Sequence, residues 1–266
     1  RPLPPETEGN PQCRFGITSR FTPGDAVRID AITDDGQYHA WTEINVPQRP
    51  FEIENVDTVT VPLAQSGYTT EYLRYRITIN DRPNETNYYR IVIDKQTTLW
   101  GYNHEEGGDD YIYWTKHSYN IIGREDVVLT DGQPTTGDDE DNGLFDTAKN
   151  IYGVFDDTRF RNTSYTMTVY NNTKIETGSD SGYFSGMDVI IRLMSITETE
   201  YYYLKALNLV DSDAYDETIN EPIKYPSNVH GGTGMVGIST EVTQTIHIIS
   251  SSHSKGNLAP PVHVYQ

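Results

Sequence analysis

Short runs in which apolar and polar residues alternate strictly recur along this chain, and that period of two constrains the fold more than any other feature. A side-chain repeat of two places alternate residues on opposite faces of an extended strand, so each run has one face to bury and one to show to water. The clearest example spans residues 26–33, where Val27, Ile29 and Ala31 alternate with Arg28 and Asp30, ahead of Ile32-Thr33 and the turn Asp34-Asp35-Gly36. A second run over 37–42 follows at once, which predicts a hairpin. Pro47 and Pro50 then interrupt the pattern and mark a boundary, because proline cannot continue a central ladder. Beyond it the same period returns at 57–61, 73–79 and 88–93, with residues 80–84 as a connection, and further candidate strands fall at 111–114, 126–130, 152–155, 164–170, 188–195 and 237–248. The reading is a mostly β protein. Its expected architecture is an antiparallel β-sandwich or partly closed barrel with one helix.

The helix is expected near 198–211. Thr197 and Glu200 have capping-box spacing, and Tyr203, Leu204, Leu207 and Val210 then recur at helical intervals. The run Tyr201-Tyr202-Tyr203 is read as bulky surface for packing on a sheet. The 20 tyrosines, with abundant Thr, Val and Ile, agree with half-buried strands. The 39 acidic residues outnumber the 20 basic ones, a formal net charge of −19, so the average surface repels phosphate backbones and argues against a nucleic-acid partner. The single cysteine, Cys13, cannot form an internal disulfide. No stretch has the roughly 18–20 consecutive apolar residues of a membrane helix. Residues 1–19 read as a polar tether or the end of an upstream segment, so a targeting signal or lipid-bearing cysteine would precede Arg1. Residues 250–266 read as a tail.

A search for chemistry finds no nucleophile elbow and no His-Glu-x-x-His spacing among the seven histidines, each of which reads as a surface or packing residue. No catalytic residue is expected. A fold could bring Asp156 or Asp157 towards a distant glutamate, as a glycoside hydrolase requires, but adjacent acids more often order a turn. In the loop 137–143, Asp138, Glu140 and Asn142 before Gly143 imitate the start of a calcium loop. Lys149 then stands where the bidentate glutamate belongs, leaving a solvated loop or a looser calcium site. The acidic turn 105–110 is open to the same two readings. Trp100, Tyr102 and His104 before that turn, with Tyr111, Tyr113 and Trp114 after it, form the candidate ligand-binding surface. At a hairpin tip these aromatics could stack on sugar rings or on a peptide; alternatively, members such as Tyr111 and Tyr113 cover the core. Gly231-Gly232-Thr233-Gly234 lacks the lysine and the helix of a phosphate loop.

Several short motifs also occur in a telling order: Pro23-Gly24-Asp25, Ala40-Trp41-Thr42-Glu43-Ile44-Asn45-Val46-Pro47, Val56-Asp57-Thr58, the stretch from Asn80-Asp81 to Arg90, Phe155-Asp156-Asp157-Thr158-Arg159-Phe160, the strand and helix over 193–207, and Glu221-Pro222 leading to Ser227-Asn228-Val229-His230-Gly231. As an ordered set spanning roughly 20–240, they resemble a DUF4249-like family of Bacteroidetes-type outer-membrane lipoproteins, often encoded beside TonB-dependent SusC/SusD-like nutrient transporters. The resemblance implies that residues 20–48 are the remnant of an immunoglobulin-like β domain whose earlier strands are missing, ahead of a main β domain over 49–249. It also implies lipid anchoring on the outer-membrane surface, with the membrane touched only through an upstream lipid. The expected role is that of a non-catalytic accessory subunit without a cofactor. Its partners would be a TonB-dependent transporter and a SusD-like lipoprotein, and its ligand a peptide or glycan. The alternatives are an extracellular glycoside hydrolase and a free-standing glycan-binding or adhesive protein.

Overall fold

The computed structural model describes residues 18–65, 68–103, 110–119, 121–133, 150–172, 183–211 and 222–249, with the backbone of 2–3, 14–15 and 264–265. The chain order is β1 (Pro2–Leu3), β2 (Arg14–Phe15), β3 (Ala26–Ile32), β4 (His39–Asn45), β5 (Asn55–Gln65), β6 (Tyr68–Asn80), β7 (Tyr88–Asn103), β8 (Asp110–Ser118), β9 (Val154–Asp156), β10 (Ser164–Asn172), β11 (Tyr183–Ser195), α1 (Glu198–Asp211), β12 (Thr240–Ile249) and β13 (Val264–Tyr265). Every strand pairing is antiparallel. One sheet runs β10-β6-β5. A larger one runs β13-β12-β11-β7-β8, with β9 beside the start of β7. Among the described residues no sheet closes on itself, so of the two expected architectures the open, sandwich-like one is observed.

The two sheets pack through the faces that the period of two predicts. Leu73, Tyr75, Ile77 and Ile79 of β6 and Met167 and Val169 of β10 meet Tyr89, Ile91 and Ile93 of β7 in one buried cluster. Met187, Val189, Ile191 and Leu193 of β11 and Val242, Ile246 and Ile248 of β12 complete it. A hydrogen bond from Lys95 Nζ to the Asn172 carbonyl, 2.6 Å, adds a polar tie between the sheets. The helix covers one end of the opposite face of the larger sheet. There Tyr201 and Leu204 pack with Val154, Ile196, Tyr88 and Met194. Its start is capped as expected on one side, with the Glu200 amide 3.3 Å from Thr197 Oγ1.

The segment 126–130 corrects the sequence reading, because it forms turns rather than a strand. Asp126 is the cause: its carboxylate accepts from the amides of Val128, Leu129 and Thr168 and from the Tyr165 hydroxyl. Four donors on one buried acid bend the chain where β-branched residues alone would favour extension. Val128 and Leu129 still enter the core. Gly153 marks another forced turn. Its φ of +65° suits glycine, and a Cβ there would lie 2.3 Å from the Ile91 carbonyl oxygen.

The hairpin β3–β4 stands as a separate two-stranded sheet. It is tied to the chain ahead of β12 by paired backbone bonds between Trp41 and His230 and by Thr42 Oγ1 donating to the Asn228 carbonyl, 2.7 Å. The Trp41 ring stacks on His230 at 4.1 Å between centroids, and the Arg28 guanidinium lies 4.3 Å from the same ring. Ile29 and Ile32 remain exposed.

Two side chains give the fold testable weaknesses. The Tyr75 hydroxyl is fully buried and has no hydrogen-bond partner among the described residues. An unsatisfied hydroxyl costs about 1–3 kcal/mol, so Tyr75→Phe should leave denaturant stability unchanged or raise it, whereas Ile77→Ala beside it should lower it by about 2–5 kcal/mol. Glu200 Oε2 is also buried without a partner, against Gly237, and burial pushes the Glu200 carboxyl up. An acid raised in the folded state costs nothing below the ordinary carboxylate range and destabilises once the pH has risen through it. Glu200→Gln should therefore raise the thermal midpoint near about pH 7, with the gain vanishing towards about pH 4.

Candidate functional site

The outer face of the larger sheet is where exposed aromatic and hydrogen-bonding side chains converge. Antiparallel register decides which of them share that face. On β7 the outward positions are Tyr88, Arg90, Val92, Asp94, Gln96, Thr98 and Trp100. Along β8, Thr115 pairs with Thr98, Tyr113 with Trp100 and His117 with Gln96. The α1 end covers Tyr88, whose ring lies 5.0 Å from that of Tyr201, and the helix does not reach the other end of β7, which is open among the described residues. At that open end Tyr113 is 66% exposed beside the half-buried Trp100. Tyr102 pairs with Tyr111 in the backbone register two residues further on.

The sequence-predicted aromatic group therefore divides. Trp100 and Tyr113 meet across the strands, but Trp114 pairs with Leu99 on the core-facing side. Its indole Nε1 is buried and lacks a hydrogen-bond partner among the described residues. Trp114 is a wall of the sandwich end, not part of an outward platform. His104 and the calcium-loop residues Asp138, Glu140 and Asn142 lie outside the described residues. Among the described residues, no three His, Cys, Asp or Glu side chains are grouped to hold a metal.

Polar residues that were unremarkable in the sequence extend the platform. Asp94 is 3% exposed, and its carboxylate accepts from His117 Nδ1 at 3.0 Å and from Gln96 Nε2 at 2.7 Å. An acceptor beside Nδ1 fixes the proton there and leaves Nε2 as the acceptor of the neutral ring. Tyr119, 57% exposed, stacks near His117 at 6.1 Å between centroids. The register continues this row across the sheet, since Gln96 pairs with Asp188 and Asp188 with His247, whose Nδ1 lies 2.7 Å from the Asp188 carboxylate. The site thus combines an aromatic pair with a transverse band His117–Gln96–Asp188–His247. Such a surface can stack a flat apolar face and offer donors and acceptors beside it. The sequence signal for the band was weak: Asp94 and His117 are 23 residues apart, and only the hairpin register joins them.

The adjacent acids of the Phe155–Phe160 motif face different partners. Asp157 is fully buried, accepting from the Asn87 amide at 2.9 Å and from Arg161 Nη2 at 3.1 Å. Close by, Asp81 accepts from the Asn162 amide at 2.8 Å, while burial pushes its carboxyl up. Asp156 turns towards α1, accepting from the Thr158 amide at 2.9 Å and the Tyr201 hydroxyl at 3.1 Å. Each of the adjacent acids thus accepts a backbone amide, Thr158 on Asp156 and Asn87 on Asp157, which is the turn-ordering role expected of them.

The family model described as a domain of unknown function (DUF4249) matches residues 5–245, nearly the whole chain. No curated protein and no solved structure matches it significantly.

The division of the aromatics can be checked directly. Tyr113→Ala should weaken capture of a stacking ligand roughly three- to tenfold, the range expected from losing one aromatic contact, while leaving the thermal midpoint unchanged. Trp114→Phe should leave capture intact. Equal losses in both variants, measured by titration calorimetry, would show that the two residues act as one surface.

Proposed function

We propose, from the premise that this chain belongs to the DUF4249 family, that it is a non-catalytic binding protein held on the outer surface of the outer membrane. In this reading a lipid on an upstream cysteine anchors it, and it serves as an accessory subunit of a TonB-dependent transporter with a SusD-like lid. Its cargo-facing element is the outer face of the larger sheet, which presents a peptide or a glycan to the complex. The observation that carries the binding part is the open end of that face, where Trp100 and the 66% exposed Tyr113 stand beside the Asp94-anchored His117.

Two further features support binding over hydrolysis. Asp157 and Asp126 are buried and accept bonds from backbone amides, so their lone pairs serve turns. A retaining or inverting glycosidase instead needs two carboxyl groups facing one bond across a cleft, about 5–10 Å apart. The acidic surface, at −19 overall, also suits a protein that must stay soluble while displaying aromatic rings to water.

The location and partners are tested by affinity capture of the tagged full-length protein from gently solubilised native membranes, followed by mass spectrometry. Recovery of a large outer-membrane transporter and its lid in stoichiometric amounts is the expected result. A protein recovered alone, under conditions that keep other outer-membrane complexes together, would remove the accessory-subunit reading and leave a free-standing binder.

A further inference from the structure

At the α1 end of the larger sheet, roughly 40 Å along β7 from the aromatic pair at about 3.3 Å per residue, lies a recess that the sheet-face site does not use. It has a volume of about 300 Å³ and is lined by Val128, Asp131, Asp156, Thr158 and Arg159. Three separate stretches of chain meet there: the turn after Asp126, the turn after β9, and α1. They are joined by a ring of polar contacts. Lys205 Nζ donates to Asp131 Oδ2 at 2.7 Å and to the Tyr201 hydroxyl at 3.2 Å, and that hydroxyl donates to Asp156 Oδ2 at 3.1 Å. Thr158 donates its amide to Asp156 Oδ1 at 2.9 Å, and its neighbour Arg159 donates from Nη2 to the Asp131 carbonyl.

The ring fixes what each charge can still do. Lys205 is occupied by Asp131 and by Tyr201, whose phenol is pushed well above its usual range by burial and then by the nearby Asp156 and Asp131 carboxylates. Arg159 has only the bond to the Asp131 carbonyl among the described contacts and is exposed, so most of its five donors remain available. Asp156 accepts the amide and hydroxyl of Thr158 on Oδ1 and the Tyr201 hydroxyl on Oδ2, so Oδ2 keeps room for one further donor. The backbone is shaped around the guanidinium: Asp131 and Gly132 both have positive φ, +51° and +85°, and a Cβ on Gly132 would lie 2.2 Å from Arg159 Nη2. The positive φ of Gly132 favours glycine, and a side chain there would displace the guanidinium from this turn.

We infer that the recess binds a small zwitterion of free α-amino-acid type, its carboxylate on the Arg159 guanidinium and its ammonium on Asp156. Four lining or adjoining charges of balanced sign, Asp131, Asp156, Arg159 and Lys205, suit a ligand with no net charge but two separated charges. An anion alone would face two carboxylates, and a cation alone would face an arginine. A sugar would find no aromatic face here, because Tyr201 is only 2% exposed. The planar guanidinium offers paired donors to a carboxylate, which a lysine at the same position would not.

The test is titration calorimetry of the full chain against the free L-amino acids, followed by the N-acetyl and the carboxamide derivatives of the best binder, with glucose as an uncharged comparison. Saturable binding that weakens at least about tenfold when either charge is blocked is expected, a difference of about 1.4 kcal/mol. Arg159→Gln should abolish it and Arg159→Lys should retain a part, both with an unchanged thermal midpoint, because Arg159 lies on the surface. No saturable binding of any free amino acid at about 10 mM, a limit set by the affinity scale, would overturn the assignment. So would equal binding of the blocked derivatives, a response to glucose alone, or full binding by Arg159→Gln. Tyr113→Ala should leave this binding unchanged, which separates the recess from the sheet-face site.

Discussion

Everything else in this protein depends on the burial of one strand face against another. The inward residues of β6 and β10 meet those of β7, β11 and β12 in a single apolar cluster, and each buried aliphatic side chain contributes about 1.5–3 kcal/mol relative to exposure. Because the side-chain period in a strand is two, that burial fixes the outward residues as well. A slip of one residue would turn Ile91 and Ile93 to water and bring Asp94 inwards. The outer platform therefore inherits its geometry from the core: Trp100, Gln96 and Asp94 face outwards because Leu99, Ile93 and Ile91 face in.

The same constraint explains what could be read from the sequence. The strands with clean alternation, such as those at 73–79 and 164–170, lie inside β6 and β10, and the helix spans Glu198–Asp211 as its cap and spacing imply. The extent of β7 was not legible. After Ile93 its inward positions are Lys95 and Thr97, polar residues that break the apolar pattern, yet both are buried and the strand runs on to Asn103. Periodicity sees hydrophobicity, whereas the ladder to β8 and β11 is made by backbone groups that any of these residues supplies. The turn at Asp126 was missed for the opposite reason: Val127, Val128 and Leu129 look like a strand, and the acid that bends them through the Val128 and Leu129 amides is held in place by donors on β10, some 40 residues away.

The platform shows the same division between local and long-range information. Its aromatic part was visible as a cluster in sequence, but the outward direction of Tyr113 and the inward direction of Trp114 follow from register. The His117–Asp94 contact has no sequence signature at all, since its partners sit on different strands and neither belongs to a recognisable spacing. Side-chain contacts made across a hairpin become readable only when the pairing is known.

What separates the acids in this acid-rich chain is the identity of their donors. Asp126 and Asp157 are buried and receive backbone amides, which do not move away without unfolding a turn, so these carboxylates act as fixed parts of the scaffold. Asp94 is also buried, but its partners are the side chains of His117 and Gln96, so it orients groups that remain partly accessible. Asp156 stands between the two cases, held by the amide and hydroxyl of Thr158 on one oxygen and by the Tyr201 hydroxyl on the other at the wall of an open recess. The order runs from amide-bound carboxylates that hold turns to side-chain-bound ones that orient groups at the sheet face. Ligand recognition belongs at the side-chain-bound end of that order, because only there can a carboxylate accept a new donor without releasing one that holds the chain in place.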